Sequence, residues 1–147
     1  MVQLLSSIVD IRTSCYAARL AAFSSPQKHC KALIFRGAHK AIVTEANLGY
    51  IGSITIDRSL SEMVGFVAGE KVLVVSNTTG ARLETYLIEG NQGSGIVCMN
   101  GAASHLIKKG EEIIVMGFEL TDSPQIIKPV TILVELNNGK NQFKHFI

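Results

Sequence analysis

Residues 50–57 read Tyr50-Ile51-Gly52-Ser53-Ile54-Thr55-Ile56-Asp57, and the character of the sequence changes at the Gly-Ser pair. After the pair, isoleucine alternates with polar residues, which is the period-2 pattern of a strand with one buried face. The pair itself is typical of a turn, because glycine accepts unusual backbone conformations and serine can bond to nearby backbone groups. The stretch therefore predicts a turn after Tyr50 that leads into a β-strand containing Ile54 and Ile56.

The chain from residue 31 onward repeats this arrangement of short apolar strands separated by turns. Glycine and asparagine indicate turns at residues 79–80, 90–93 and 137–139. Two short helices are predicted over residues 59–67 and 100–108. The predicted strands are residues 33–38, 42–44, 54–56, 71–76, 83–88, 96–99, 112–119 and 131–136. Many short strands at this spacing favour a closed β-barrel.

The composition is that of one soluble domain. A length of 147 residues fits a single domain. The hydrophobic content of 47% is enough for a core, and its excess favours apolar surface buried between subunits. A net charge of +2, with 6% aromatic residues and no tryptophan, argues against a nucleic-acid-binding groove. No apolar run approaches the ~20 residues that a membrane span requires.

The three cysteines, Cys15, Cys30 and Cys98, form no Cys-x-x-Cys pair and no cluster with histidine. An odd number of cysteines without such spacing fits a reducing compartment, and it predicts no metal site. The chain is therefore expected to be cytoplasmic.

Residues 1–32 differ from the rest of the chain. Apolar residues from Leu4 to Ala18 recur near a helical period, which is consistent with a short amphipathic helix. The serines and arginines of this segment, with few acids, also have some resemblance to a transit peptide. Two alternatives stay open: a genuine extension before a domain that begins at residue 33, or translation that starts at Leu33.

The Gly52-Ser53 peptide bond offers a particular chemistry. A serine hydroxyl that follows a glycine can attack the glycine carbonyl and convert the amide into an ester. Elimination across the serine Cα and Cβ then cuts the chain and leaves a dehydroalanine, and hydrolysis of that group gives a pyruvoyl ketone. Glycine at position 52 suits this attack because it has no Cβ and tolerates backbone geometry that other residues resist. Most Gly-Ser pairs are ordinary turns, so the pair alone does not predict the reaction.

Three ordered segments resemble one known family. Residues 39–57 (HKAIVTEANLGYIGSITID), 77–86 (NTTGARLETY) and 99–105 (MNGAASH) are similar to the pyruvoyl-dependent aspartate 1-decarboxylases, which make β-alanine. The similarity runs from about residue 33 to about residue 134. It implies a mainly β fold, a double-psi β-barrel with a few short helices, whose chain is cut between Gly52 and Ser53.

The resemblance implies roles in cleavage and catalysis. Ser53 is the precursor of the pyruvoyl cofactor, which forms a Schiff base with L-aspartate. Thr85 matches a threonine that donates a hydrogen bond to the Gly52 carbonyl, as in an oxyanion hole. Tyr86 matches the proton donor, because a phenol keeps its proton at neutral pH and can give it to a carbanion. Without the resemblance, Thr85 and Tyr86 would be ordinary strand residues.

The resemblance also implies a substrate-binding set. Arg82 matches an arginine that binds a substrate carboxylate, which a guanidinium can hold through two parallel hydrogen bonds. Thr85 and Asn100 match residues that position groups at the cleavage and substrate site. Ala102 and Ala103 match backbone contacts near the pyruvoyl group, and their small side chains leave room for substrate.

One position departs from the family pattern. A lysine that binds the substrate carboxylate usually lies two residues before His39, where this chain has Gly37. Adjacent strand residues point to opposite faces, so Arg36 replaces that lysine only if the register shifts. Carboxylate binding then depends more on Arg82 or on a neighbouring subunit. His39 and Tyr50 match positions near the active site and have supporting roles.

The function implied by the resemblance is decarboxylation of L-aspartate to β-alanine and CO2 for pantothenate and coenzyme A biosynthesis. The family consists of carboxy-lyases that assemble as homo-tetramers with active sites between subunits, and some relatives need a separate maturation factor for cleavage. Two alternatives stay open. One is an uncleaved double-psi barrel that serves as a structural or ligand-binding subunit, and the other is the same chemistry on another small acidic amino acid, such as glutamate.

Overall fold

The computed structural model describes residues 32–121 and 130–147. These residues form nine strands and two short helices. In chain order they are β1 (Ala32–Ile42), β2 (Glu45–Asn47), β3 (Ser53–Asp57), α1 (Arg58–Val64), β4 (Lys71–Ser76), β5 (Arg82–Gly90), β6 (Val97–Asn100), α2 (Ala103–Leu106), β7 (Glu112–Thr121), β8 (Thr131–Asn137) and β9 (Lys140–Phe146).

The prediction of a mainly β fold with a few short helices is confirmed. The strand predicted over residues 71–76 is β4, and the helix predicted over residues 59–67 is the slightly shorter α1. The helix predicted over residues 100–108 is reduced to the single turn of α2, because Asn100 belongs to β6. The helix expected within residues 1–32 lies outside the described residues, apart from residue 32.

Three parts of the strand prediction were wrong. Residues 42–44 are not a strand of their own, because β1 continues to Ile42 and pairs with β7 across a bulge between Ala38 and Ala41. Within the bulge, Lys40 has a φ of 62°, which is unusual for a residue with a side chain. Strands β2 and β9 were not predicted at all, since neither shows an alternating apolar pattern.

The strands form one sheet in the order β2-β6-β3-β5-β4-β7-β1-β8-β9. Strand β3 lies between β6 and β5, antiparallel to the first and parallel to the second. Asn141 of β9 connects two separate parts of the chain: its Oδ1 accepts from the amide of Ile42 in β1 at 2.8 Å, and its Nδ2 donates to the Gly95 carbonyl at 3.0 Å, just before β6. This buried side chain therefore ties β9, at one end of the order, to the segment that leads into β6 near the other end.

Strand β3 is anchored along its length. Ile54 and Ile56 point into the aliphatic core. At the end of the strand, the Asp57 carboxylate accepts backbone N–H bonds from Ser59 at 2.7 Å and from Gly95 at 2.5 Å. Burial acts to raise the pKa of Asp57, but these backbone bonds outweigh it and hold the pKa below its usual value. Asp57 thus fixes the far end of the strand that begins with Ser53.

Candidate active site

Ser53 is the first residue of β3 and is fully buried. In the antiparallel pairing of β3 with β6 it lies opposite Asn100. The Asn100 Nδ2 donates a hydrogen bond of 2.9 Å to Ser53 Oγ, while the Ser53 hydroxyl donates a longer one of 3.4 Å to the Ile51 carbonyl. The hydroxyl beside the expected cleavage bond is therefore held by a buried side-chain amide.

The close packing at this point depends on Gly101 rather than on Gly52. Gly101 has a φ of +55°, and a Cβ added there would lie 2.6 Å from the Tyr50 carbonyl oxygen and 2.8 Å from Gly52 Cα. At Gly52 φ is not positive, and an added Cβ would come no closer than 3.9 Å to any atom of a non-neighbouring residue. The left-handed backbone that only glycine adopts easily is thus found at Gly101, against the cleavage peptide.

A cavity of about 410 Å³ opens next to Ser53. Strand β5 runs parallel to β3 with Leu87 beside Ile54, so the preceding residues of β5 reach the level of Ser53. The start of α2 supplies the opposite wall. The lining residues are Gly52, Ser53, Leu83, Glu84, Thr85, Tyr86, Ala102, Ala103 and Leu106.

The cavity brings together most of the residues singled out from the sequence. Thr85 and Tyr86 line it with the Gly52-Ser53 pair, and the small Ala102 and Ala103 lie across from them. Within the described residues, the hydroxyls of Thr85 and Tyr86 have no hydrogen-bond partner. Both hydroxyls are therefore available to a group bound in the cavity.

Four predicted residues do not line this cavity, and one of them, Asn100, still contacts Ser53 Oγ. Arg82 is exposed at the start of β5 and forms no salt bridge within the described ranges. His39 lies on β1 beside Leu133 of β8, and partial burial lowers its pKa, so it is mostly neutral at pH 7. Tyr50 is exposed, and it meets the site through its carbonyl oxygen next to Gly101.

Arg36 does not take the place of the missing lysine. Strand β1 keeps its register with β7 at Arg36, and the register shift comes only after Ala38. The Arg36 Nη2 lies 2.7 Å from Glu70 Oε1, and its guanidinium stacks 6.0 Å from the centre of the Phe66 ring. Because the register does not shift at Arg36, the condition under which it could bind substrate is not met, and its guanidinium is already engaged by Glu70 and Phe66.

Sequence reasoning missed several residues of the site. Leu83, Glu84 and Leu106 line the cavity, and the Glu84 carboxylate lies 2.7 Å from Lys71 Nζ. Thr55 and Cys98 both contact Asn100. The spacing carried a signal for the last two, since each lies two residues from a predicted site residue and so shares its strand face.

The described residues contain no group of three His, Cys, Asp or Glu side chains placed to hold a metal ion. No helix in this part of the chain is long and apolar enough to cross a membrane. The fold and the site define a small, mainly β protein in which a half-buried Gly52 and a buried Ser53 line a cavity of small-molecule size.

Comparison with known proteins gives the family. Residues 31–142 match the sequence family described as aspartate decarboxylase, and the chain belongs to this family. It is 47% identical over 102 residues to an aspartate 1-decarboxylase of Neisseria meningitidis, covering 68% of this chain and 80% of the relative. It is also 47% identical over 109 residues to that of Bacillus pumilus, covering 74% and 85%.

A further aspartate 1-decarboxylase, from Bacillus velezensis, is 54% identical over 82 residues, which is 56% of this chain and 65% of that relative. Among solved structures, the computationally designed msDPBB_sym2 protein aligns with a TM-score of 0.37 at 16% identity, over 58% of this chain and 99% of that one. The rationally designed mkDPBB_sym1 protein aligns with a TM-score of 0.38 at 19% identity, over 57% and 96%. The predicted family and enzyme class are confirmed, and the mainly β class is confirmed by the strands of the structure itself.

Proposed function

We propose that this chain cuts itself between Gly52 and Ser53 and then decarboxylates L-aspartate to β-alanine and CO2, with a pyruvoyl group derived from Ser53 as cofactor. The observation that carries the proposal is the buried Ser53 hydroxyl, held by Asn100 at the edge of a cavity that Thr85 and Tyr86 line. The names of the relatives support the substrate. The product would serve pantothenate and coenzyme A biosynthesis.

Cleavage uses groups of the chain and one water molecule from solvent. Ser53 Oγ forms a bond to the Gly52 carbonyl carbon, the hydroxyl proton passes to the Ser53 nitrogen as the C–N bond breaks, and an ester replaces the amide. Loss of the Ser53 Cα proton then breaks the Cβ–Oγ bond, so Gly52 leaves as a carboxylate and a dehydroalanine remains. Addition of one water and release of ammonia converts the dehydroalanine into the ketone. The Thr85 hydroxyl, without a partner among the described residues, can donate to the Gly52 carbonyl oxygen as negative charge develops there.

The residues around Ser53 fit a pyruvoyl group. Ala102 and Ala103 have the smallest side chains that a non-glycine residue can present, so the wall facing Ser53 leaves space for a ketone and an amino acid. When present, a pyruvoyl group supplies an electron sink for loss of a carboxylate. Tyr86 lines the same space with an unpaired hydroxyl, which suits it to return a proton to the product carbon.

Substrate binding requires more than the described cavity provides. The charged side chain that lines it is Glu84, which is paired with Lys71. Arg82 lies on the same face of β5 as Tyr86, four residues away, and its guanidinium is without an ion pair in the described ranges. Arg82 therefore supplies a cation at the rim for one carboxylate of aspartate.

The apolar rim of the cavity supports assembly from several copies. Ile51 is 79% exposed and Leu106 is 55% exposed, and Leu48 and Tyr50 next to them are also exposed. Apolar side chains of this size rarely face water together unless a partner covers them. We therefore include a homo-tetramer with its active sites between subunits in the proposal. A cytoplasmic location is also included, since the free thiol of Cys98 and the scattered cysteines suit a reducing compartment.

A denaturing intact-mass spectrum of the purified protein tests the proposal. We expect two fragments that meet between Gly52 and Ser53, the larger carrying a pyruvoyl group and no free amino terminus. Adding L-aspartate to that preparation should yield β-alanine, and L-glutamate as a control should yield no product. A single intact chain that stays uncleaved after prolonged warming and with an added maturation factor of the family would refute self-processing.

A further inference from the structure

We propose that Thr55 and Cys98 are positioning residues for cleavage of the Gly52-Ser53 bond, because together they hold the Asn100 amide with its N–H groups toward Ser53. The inference rests on the proposed self-cleavage. Neither residue lines the cavity beside Ser53. Their effect on the reaction therefore passes through Asn100, which contacts both of them and the reacting hydroxyl.

The pairing of β3 with β6 brings these side chains together. The antiparallel register sets Ser53 opposite Asn100 and Thr55 opposite Cys98. Side chains two residues apart on a strand share a face, so the four form adjacent cross-strand pairs on one side of the sheet. The residues between them face the opposite side, in the aliphatic core. The arrangement is set by the ladder and not by a flexible loop.

The Asn100 side-chain amide has a hydrogen-bond partner for both of its N–H groups and for its oxygen, and these partners fit only one of the two orientations of the amide. Its Nδ2 donates to Ser53 Oγ at 2.9 Å and to Thr55 Oγ1 at 2.8 Å, which engages both N–H groups. Its Oδ1 accepts from the Cys98 thiol, with Sγ 3.2 Å away. Asn100 is only 3% exposed, so a group that lost its partner would find little water to replace it.

Cys98 decides which end of the amide faces Ser53. Hydroxyl groups can donate or accept, so Ser53 and Thr55 alone would fit either end. The Cys98 sulfur already receives the Asn47 backbone N–H. Its S–H has two acceptors within reach, the Asn100 Oδ1 at 3.2 Å and the Met99 carbonyl at 3.7 Å, and the nearer of the two is the Asn100 oxygen. Burial raises the pKa of Cys98, and the charge of Glu45 adds to this, so the thiol keeps its proton at neutral pH.

This orientation matters for the reactivity of Ser53. An N–H donated to Ser53 Oγ stabilises the negative charge that grows on this oxygen as its proton leaves, whereas the amide oxygen in the same place would repel that charge. Thr55 fixes the second N–H and so restrains rotation of the amide. Loss of either partner lets the amide turn, and fewer molecules then hold the reactive arrangement.

The test measures the rate of cleavage in freshly translated full-length chains by denaturing intact-mass spectrometry over time. Thr55→Val and Cys98→Ala remove the two partners at little change in shape, and Thr55→Ser and Cys98→Ser keep a hydroxyl that can replace them. Thr44→Val is the matched control, because Thr44 makes two 3.0 Å side-chain bonds with Val97 but none with Asn100. Thermal melting of each variant reports stability separately.

We expect Thr55→Val and Cys98→Ala to cleave about three- to tenfold more slowly than the wild type, as for loss of one buried neutral hydrogen bond. The two serine variants should cleave near the wild-type rate, and Thr44→Val should melt earlier without slower cleavage. If the wild-type chain cleaves and the Thr55→Val and Cys98→Ala variants cleave at the same rate, the positioning role is refuted while the proposed self-cleavage stands. Equal slowing in Thr44→Val also overturns it, since the effect is then general destabilisation. A wild-type chain that never cleaves refutes the proposed function itself.

Discussion

The two ends of the candidate site differ in how completely one chain builds them. At the cleavage end, Ser53 and Asn100 are buried, and the Asn100 amide has a partner for each N–H and for its oxygen. At the substrate end, Tyr86 and Leu106 are 39% and 55% exposed, and Arg82 projects from the surface without an ion pair among the described residues.

This difference follows from what each step requires. Cleavage is a reaction within one chain, so it needs only that a hydroxyl, a carbonyl and their hydrogen-bond donors be held in place. Binding of an amino acid with two carboxylates needs cations and exclusion of water, and the charged residue that lines the described cavity, Glu84, has the wrong sign. Under the proposed function, the cleavage end is therefore complete within one chain, whereas the substrate end is the part that the proposed neighbouring subunit would cover.

The largest expected effect is at the cleavage end. Ser53→Ala should abolish cleavage, because no hydroxyl remains to attack the Gly52 carbonyl, and the mass spectrum should show one intact chain. Ser61→Ala is the matched control, since Ser61 is also buried but its hydroxyl has no hydrogen-bond partner among residues 32–121 and 130–147. If the Ser53→Ala chain still appears as two fragments, the Ser53 hydroxyl is not the attacking group, and the buried Ser53–Asn100 pair is not the site of cleavage.

A large effect confined to the substrate end is expected from Tyr86→Phe. The variant should cleave at the wild-type rate, because the Tyr86 hydroxyl has no described contact with Ser53 or Asn100. Formation of β-alanine from L-aspartate should fall by about 10²- to 10⁴-fold, as for loss of a general acid. The two readouts are fragment masses and product released per minute. Unchanged turnover would assign proton donation to another group, and slower cleavage would show that the two ends are not separable.

A smaller effect is expected from Gly101→Ala, which changes the contact of Gly101 with the backbone of Tyr50 and Gly52. The new Cβ would lie 2.6 Å from the Tyr50 carbonyl oxygen, so the backbone at Gly52 must move. Gly80→Ala is the control, because Gly80 has a φ of +76° with nothing within 4 Å of an added Cβ. We expect the control to lose about 1–2 kcal/mol of unfolding free energy from the left-handed backbone alone.

Gly101→Ala should lose more than that control and should also cleave more slowly, whereas Gly80→Ala should cleave normally. Urea titration gives the first quantity, and a mass-spectrometric time course gives the second. Equal losses of stability in the two variants, with equal cleavage rates, would show that Gly101 does not hold the cleavage peptide in place.

Much of the secondary structure followed from local patterns, and the exceptions have a common cause. Strand β4, with its run of valines and leucine, and the turn before Gly139 were predicted because their residues have strong local preferences. Strand β2 is three exposed residues, two of them polar, that become a strand only by pairing with β6. Strand β9 has apolar residues only at Phe143 and Phe146, and it pairs with β8 across a tight turn. Neither pairing is visible in a short window of sequence.

By itself the sequence determined the mainly β class, the Gly52-Ser53 pair and the family, because these depend on residue types at short spacing and on the order of segments along the chain. Only the tertiary structure decided which side chains reach Ser53. Asn100 lies 47 residues away, and it meets Ser53 through the register of two strands that the intervening chain brings together. Register is set by burial of the opposite face and by non-local pairing, so no local pattern reports that Thr55 and Cys98 complete the same cluster.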